Sequence, residues 1–201
     1  MLVLDHLVVS AASLQEARAI EHILPASFVP GGKHPDMATH NTLMGLGPEY
    51  LEVISIDPEA PAIGHPRWFD LDHFSGPPRL THWVCRTDHL AEVAHQFPGG
   101  AEIREFRRGA YRWKMAIPSG SDHPMEGAFP GLIQWDEGHP TRNLADSGLR
   151  LTRLEIRHPS GSDLAERLAP WLEDPRVVFV PHPDRDIRAE FETPVGDRRL
   201  S

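Results

Sequence analysis

The chain has a single cysteine, Cys85, in 201 residues. An internal disulfide is excluded, and a reducing cytoplasm is the expected compartment. No apolar run approaches the roughly 18–20 residues of a membrane span. The N-terminus, MLVLDHLVVS, has neither a basic n-region nor a small-residue cleavage site, so it reads as a first strand. Basic clusters are also missing. Twenty Lys and Arg face 29 Asp and Glu for a net charge of −9, with only short pairs such as Arg107–Arg108 and Arg198–Arg199. A nucleic-acid partner needs a basic face, and none is expected here. No P-loop, G-x-G-x-x-G or Ser-His-Asp pattern occurs, so phosphoryl transfer, dinucleotide binding and acyl transfer find no support.

Histidine is what the chain has in quantity, 13 in all. Several stand beside proline (His34, His65, His123, His139, His158 and His182) and read as loop residues with no special role. His6 differs, because it lies inside LDHLVV, which otherwise reads as a buried strand. After it, SLQEARAIEHIL carries apolar residues at helical spacing (Leu14, Ala17, Ile20, Leu24). Ser13 and Glu16 are placed as in a capping box. GGKHPDM reads as a loop, ATHNTLMGLG and YLEVISID as a hairpin, and a short extra strand is expected near Phe28.

The pattern then recurs. Across a Pro/Gly-rich linker at 58–78, LTHWVCRTDHLAEV can be laid on LDHLVVSAASLQEA at a constant offset of 76, so that His82 meets His6 and Glu92 meets Glu16. Three strand candidates follow (AEIREFRRG, YRWKMAIP, GLIQWDE). Such a repeat implies two copies of one supersecondary unit. A partial third copy begins at LTRLEIRH, with Arg153 in the histidine position. The expected fold is α+β: paired βαβββ modules (1–57 and 79–137, within 1–140) forming a cupped mixed sheet with helices outside. A partial βαββ module over 141–201 packs on the same domain.

Strand residues two apart share a face. On that rule His6 shares one with Leu4 and Val8, and His82 shares one with Leu80 and Val84. Pseudo-twofold pairing would aim both imidazoles at one cavity. Glu52 sits mid-strand in YLEVISI, where an unpaired carboxylate is costly to bury, so it needs a metal, a cation or an open cavity. In the second unit the corresponding strand is LIQW, with Gln134. Two imidazoles, a carboxylate and an amide oxygen can form a divalent-metal set with room for substrate. Gln134 can equally face solvent on an outer strand, and a strand histidine can be a hydrogen-bonded structural group.

These pieces resemble the vicinal oxygen chelate superfamily of glyoxalases, extradiol dioxygenases and bleomycin-resistance proteins. Within it the chain looks most like bacterial glyoxalase-like domain proteins. LDHLVV, GGKHPDMATHNTLMGLGPEYLEVISID, RGAYRWKMAIP, and GLIQW followed by HP carry the likeness. The resemblance implies a divalent ion (Zn, Mn, Fe, Ni or Co) held by His6, Glu52, His82 and Gln134. The ion would bind adjacent oxygens of a small substrate and stabilise the charge developing on them. It also favours His40 over Asn41 as a substrate-contacting group. Gln134 departs from the common fourth carboxylate and takes no proton, so base duty would fall on Glu52 or a histidine. Lyase, isomerase or hydrolase-type chemistry is expected. The alternatives are ligand or antibiotic sequestration without turnover, and extradiol dioxygenation at Fe(II). The partner is a small-molecule substrate, and homodimer formation is left open. His34 could close over the mouth. Arg112 and Lys114 share an outward face, and Cys85 and Trp83 should face the helix layer.

Overall fold

The computed structural model describes residues 1–119 and 124–201, so His123 lies outside the described residues. The first half runs β1 (Val3–Ser10), α1 (Ala17–Ile23), β2 (Val29–His34), β3 (Thr39–Gly45), β4 (Tyr50–Ile56). The second runs β5 (Arg79–Arg86), α2 (Leu90–Val93), β6 (Ala101–Arg108), β7 (Tyr111–Pro118), β8 (Gly131–Glu137). Both are βαβββ units, joined in one sheet of order β2-β3-β4-β1-β5-β8-β7-β6. The first strands, β1 and β5, pair antiparallel at its centre. Each pairs parallel with the last strand of its own half.

Two local expectations are corrected. Gly31 to His34 belong to β2 rather than to a loop. The glycines are there for space: a Cβ on Gly31 would collide with Asn41 Oδ1, and one on Gly32 would lie 2.7 Å from Arg108 Cδ. Ser13 makes no side-chain cap bond at the turn Leu14–Glu16. The Glu16 carboxylate accepts from the Ala12 N–H at 3.1 Å and satisfies that end instead.

The third unit comprises β9 (Arg150–His158), α3 (Gly161–Leu168), β10 (Val177–Pro181), β11 (Asp186–Glu192) and β12 (Arg198–Leu200). Its sheet order is β10-β9-β11-β12. The helix there joins two neighbouring parallel strands, whereas α1 connects β1 to the far edge of the large sheet. The unit thus repeats the strand–helix start but not the pairing. Arg176 ties it to the first half, meeting Glu49 at 2.6 Å and Asp174 at 2.8 Å. Among the described residues no helix is long and apolar enough to cross a membrane.

The large sheet has two different faces. Leu7, Val9, Leu51, Val53, Trp83 and Cys85 point to the outer face and form one core with α1, α2 and the second sheet. Each fully buried Leu or Phe there contributes roughly 1.5–3 kcal/mol over exposure. Val8, Ile54, Val84, Trp113, Met115 and Ile133 point to the inner face. The linker covers that face, with Trp68, Phe69 and Leu71 buried against it. Phe69 and Asp70 hold φ of 57° and 52°, an uncommon state for residues other than glycine.

Bulges decide which residues reach the inner face. Leu4 faces Cys85 and His6 faces Val84, so Asp5 is an extra residue in β1. Val8 faces His82 and Val9 faces Leu80, so Thr81 is an extra residue in β5, 76 positions after Asp5. The repeat therefore includes its bulges. Leu4 and Leu80 consequently pack in the outer core, and His6 and His82 share a face only with Val8 and Val84. Strict alternation fails across each bulge, because an inserted residue re-aims its neighbours.

Candidate functional site

The inner face holds a pocket lined by strands of both halves and by the linker. His6, His34, Asn41, Glu52 and Arg108 give its polar lining, and Tyr50, Trp68, Phe69, Trp113 and Trp135 its aromatic walls. Its free volume is about 30 Å³. One water needs about 10–15 Å³ on that measure, so the pocket takes a small head group, not a whole metabolite.

The bulge at Asp5 makes the pocket's first device. Consecutive side chains in a regular strand point to opposite faces, yet Asp5 Oδ1 lies 2.6 Å from His6 Nδ1. The other oxygen, Oδ2, accepts from Trp135 Nε1 at 3.0 Å and from His139 Nε2 at 2.9 Å, and Arg86 Nη1 lies 3.7 Å away. Burial alone would raise the Asp5 carboxyl, but its bonds to His139 and His6 outweigh that and hold it well below the usual carboxylate range. That carboxylate accepts a hydrogen bond from His6 Nδ1–H, which turns Nε2 toward the pocket. Tyr50 stacks on the ring, with centroids 4.5 Å apart, and fixes its plane. Burial, followed by the Asp5 and Glu52 charges, raises the Tyr50 phenol well above its usual range and keeps it neutral.

Glu52, on the strand paired with β1, stands beside His6. Its Oε2 lies 3.5 Å from His6 Nε2, and Oε1 accepts a hydrogen bond from Asn41 Nδ2. Asn41 Oδ1 in turn accepts from the Gly32 N–H at 2.9 Å and from Arg108 Nη1 at 3.1 Å. Arg108 Nη1 also reaches His34 Nε2 at 2.8 Å. That contact requires an unprotonated Nε2. Burial first, then the Arg108 charge, does hold the His34 imidazole well below its ordinary pKa, so it stays neutral. His34 Nδ1 lies 3.1 Å from Thr39 Oγ1, which also accepts from Trp68 Nε1 at 3.1 Å. The linker is thereby fastened to the pocket wall.

Of the expected residues, the structure brings His6 and Glu52 together. Asn41 enters the pocket and His40, next along β3, is turned out of it. Gln134 lies on the outer face between Ile133 and Trp135, where its Oε1 accepts from the Leu90 N–H at 3.2 Å at the start of α2. It is not the counterpart of Glu52 in the repeat. Val8 pairs with Glu52 and Val84 pairs with Gly131, so the second half carries glycine where the first carries a carboxylate. His82 shares the inner face, but its ring lies against Gly127 and has the Phe69 ring 5.2 Å away. Among the described residues no three His, Cys, Asp or Glu side chains converge as a metal-binding group. His6 and Glu52 could both meet an ion, but the four donors as placed do not fit one.

Arg112 pairs with Glu137, and Lys114 with Asp136, on the solvent side. Cys85 is fully buried in the outer core, and burial pushes its thiol well up. His34, His139, Asp5, Tyr50 and Arg108 all matter more than the sequence suggested. Asp5 had a signal: a carboxylate inside an apolar strand is as costly as Glu52. His139 and Arg108 stand in two of the pieces that carry the family resemblance, but nothing local gave them a role, since only folding brings them across 134 and 67 positions to Asp5 and Asn41.

A family model described as a glyoxalase-like domain matches residues 4–172. No curated protein matches the chain. Among solved structures it is similar to a hypothetical protein from Staphylococcus aureus, at 14% identity and a TM-score of 0.62, over 99% of this chain and 84% of that one. Methylmalonyl-CoA epimerase from Mycobacterium tuberculosis follows at 16% identity and 0.45, over 70% and 91%. A mutant 4-hydroxymandelate synthase from Streptomyces coelicolor stands at 13% and 0.46, over 98% and 61%.

Proposed function

The chain belongs to the glyoxalase-like domain family of the vicinal oxygen chelate superfamily, and on that premise we propose that it is an enzyme moving a proton on a small oxygenated metabolite. Lyase or isomerase chemistry fits that step. The observation that supports this most is the facing pair: a histidine oriented by a buried aspartate, its Nε2 3.5 Å from a buried glutamate held by an asparagine. Two proton-carrying groups side by side at a small cavity are what acid–base work on one carbon–oxygen unit requires. Glu52 takes the proton from the carbon beside a carbonyl. The C–H electron pair moves toward the carbonyl oxygen, and imidazolium His6 gives its Nε2 proton to that oxygen. Return of a proton from Glu52 to carbon, as the enol O–H proton goes back to His6 Nε2, completes an isomerisation; departure of a β-substituent with its bonding electron pair, as the C=C bond forms, completes an elimination.

The expected four-donor metal site is not part of this reading, because the second half offers Gly131 and an outward Gln134. Incubation in D2O with a panel of short carbonyl and hydroxy compounds, followed by NMR, tests it. The wild-type protein should exchange the proton adjacent to the carbonyl of one class, and Glu52→Gln should lose that exchange by roughly 100-fold or more. Binding without exchange in the wild type would favour sequestration. Exchange that survives both Glu52→Gln and His6→Gln would overturn the assignment.

A further inference from the structure

The position of Arg108 says what kind of substrate the pocket takes. Arg108 ends β6, in the opposite half of the sheet from Glu52, and its side chain crosses to the pocket over Gly32. Any side chain at position 32 would obstruct the stem, since a Cβ there falls 2.7 Å from Arg108 Cδ. The Tyr111 ring lies 5.6 Å from the guanidinium carbon and steadies its plane.

The guanidinium makes an unusual set of contacts. Nη1 donates to two neutral acceptors, His34 Nε2 and Asn41 Oδ1. Among the described residues no carboxylate lies within 4.0 Å of it, although the chain has nine more acidic than basic side chains. Arg176 has two carboxylates and Arg67 has Asp72, whereas the half-buried Arg104, Arg185 and Arg198 share the lack of a paired carboxylate among the described residues, so what sets Arg108 apart is its place in the pocket lining beside Glu52 and His6. A cation carried into a mostly aromatic pocket without its own anion is costly, unless a ligand supplies one. The planar fork has five N–H donors and suits a carboxylate better than any other small anion-bearing group of a metabolite. Asn41 bridges the two ends. Its amide oxygen meets Arg108 and its amide nitrogen meets Glu52, so a single carboxamide separates the anion position from the base.

We infer that the pocket recognises a small carboxylate, with Arg108 holding the acid group and the adjacent oxygenated carbon lying against the Glu52–His6 pair. A 2-oxo or 2-hydroxy acid carries those two groups on adjacent carbons, so that its head group enters the pocket and the rest of its chain stays outside. The inference names the substrate class of the site and rests on the proton-transfer reading only for the fate of the bound acid.

Binding separates the two. Pyruvate, lactate and 2-oxobutyrate would be titrated into the whole protein by calorimetry, beside pyruvamide and lactamide as neutral isosteres and inorganic phosphate as an unrelated anion. The acids should bind and the amides should bind at least roughly tenfold more weakly, because only the acids pair with the fork. Arg108→Met should abolish the preference for acid over amide, and Arg108→Lys should keep a weakened one, since it retains charge without the fork. If Arg108→Met does not fold, Gly32→Ala carries the test, because it displaces the arginine stem while leaving the charge in the chain. Equal binding of acids and amides, or an acid preference untouched by these variants, overturns the inference even if proton exchange is observed. Acid binding that depends on Arg108 without exchange upholds it while the proton-transfer reading fails.

Discussion

Replacing Asp5 with asparagine tests whether the bulge carboxylate is a structural anchor. The wild-type group is fully buried, and its two oxygens face three donors, His6, His139 and Trp135. A hydrogen bond to a charged group contributes about 1.5–3 kcal/mol, against about 0.5–1.5 kcal/mol for a neutral pair. The amide would therefore weaken three bonds and turn one of its own N–H groups toward a donor. Opposing this, a buried charge is removed and its desolvation cost disappears. The first effect wins, because the surroundings already hold the carboxyl well below its ordinary range, so bonding exceeds desolvation. The expected loss is about 2–4 kcal/mol, or a fall of roughly 5–15 °C in Tm for a chain of this size. The sign with pH follows. A carboxyl depressed in the folded state stabilises the fold above its unfolded pKa of about 3.9, and that contribution drains away as pH falls from there toward the folded value. The gap between wild type and Asp5→Asn, measured by urea titration, should be full at about pH 6–7 by that rule and shrink below about pH 4. Trp135→Phe should couple to Asp5→Asn in a double-mutant cycle by about 1 kcal/mol or more. Equal stability at neutral pH, a gap that widens with acid, or strict additivity would refute this account.

Two further outcomes follow from the same geometry. Arg176→Met leaves Glu49, only 1% exposed, buried without its partner. It should cost about 3–5 kcal/mol in denaturant unfolding, and Glu49→Gln in the same background should recover part of it. Trp68→Ala should behave as a core truncation, losing about 3–5 kcal/mol. A substitution costing under about 1 kcal/mol would mean that the linker only rests on the surface.

What was legible in the sequence was the part encoded locally. The repeat of strand, histidine and helix start at an offset of 76 needs only neighbouring residues to specify it, and it yielded the paired βαβββ halves. The outward setting of Arg112 and Lys114 and the core setting of Trp83 and Cys85 followed from alternation alone. Glu52 could be singled out because burying a carboxylate is costly wherever the strand ends up. Alternation failed at Leu4 and Leu80, where a bulge adds a residue that no composition announces. It also failed to choose between His40 and Asn41, since neighbours on a strand differ only in which face is buried.

The site itself was settled by the tertiary structure. Register between β1 and β4, and between β5 and β8, made Gly131 rather than Gln134 the counterpart of Glu52. Chain reversal brought His139 to Asp5 and Arg108 to Asn41. The third unit shows the same division: its strand-to-helix start could be read from the sequence, but its sheet order could not. The sequence determined the modules because strand and helix periodicity are properties of adjacent residues. Only the folded chain decided the chemistry, because charges and donors far apart along it meet through packing and register.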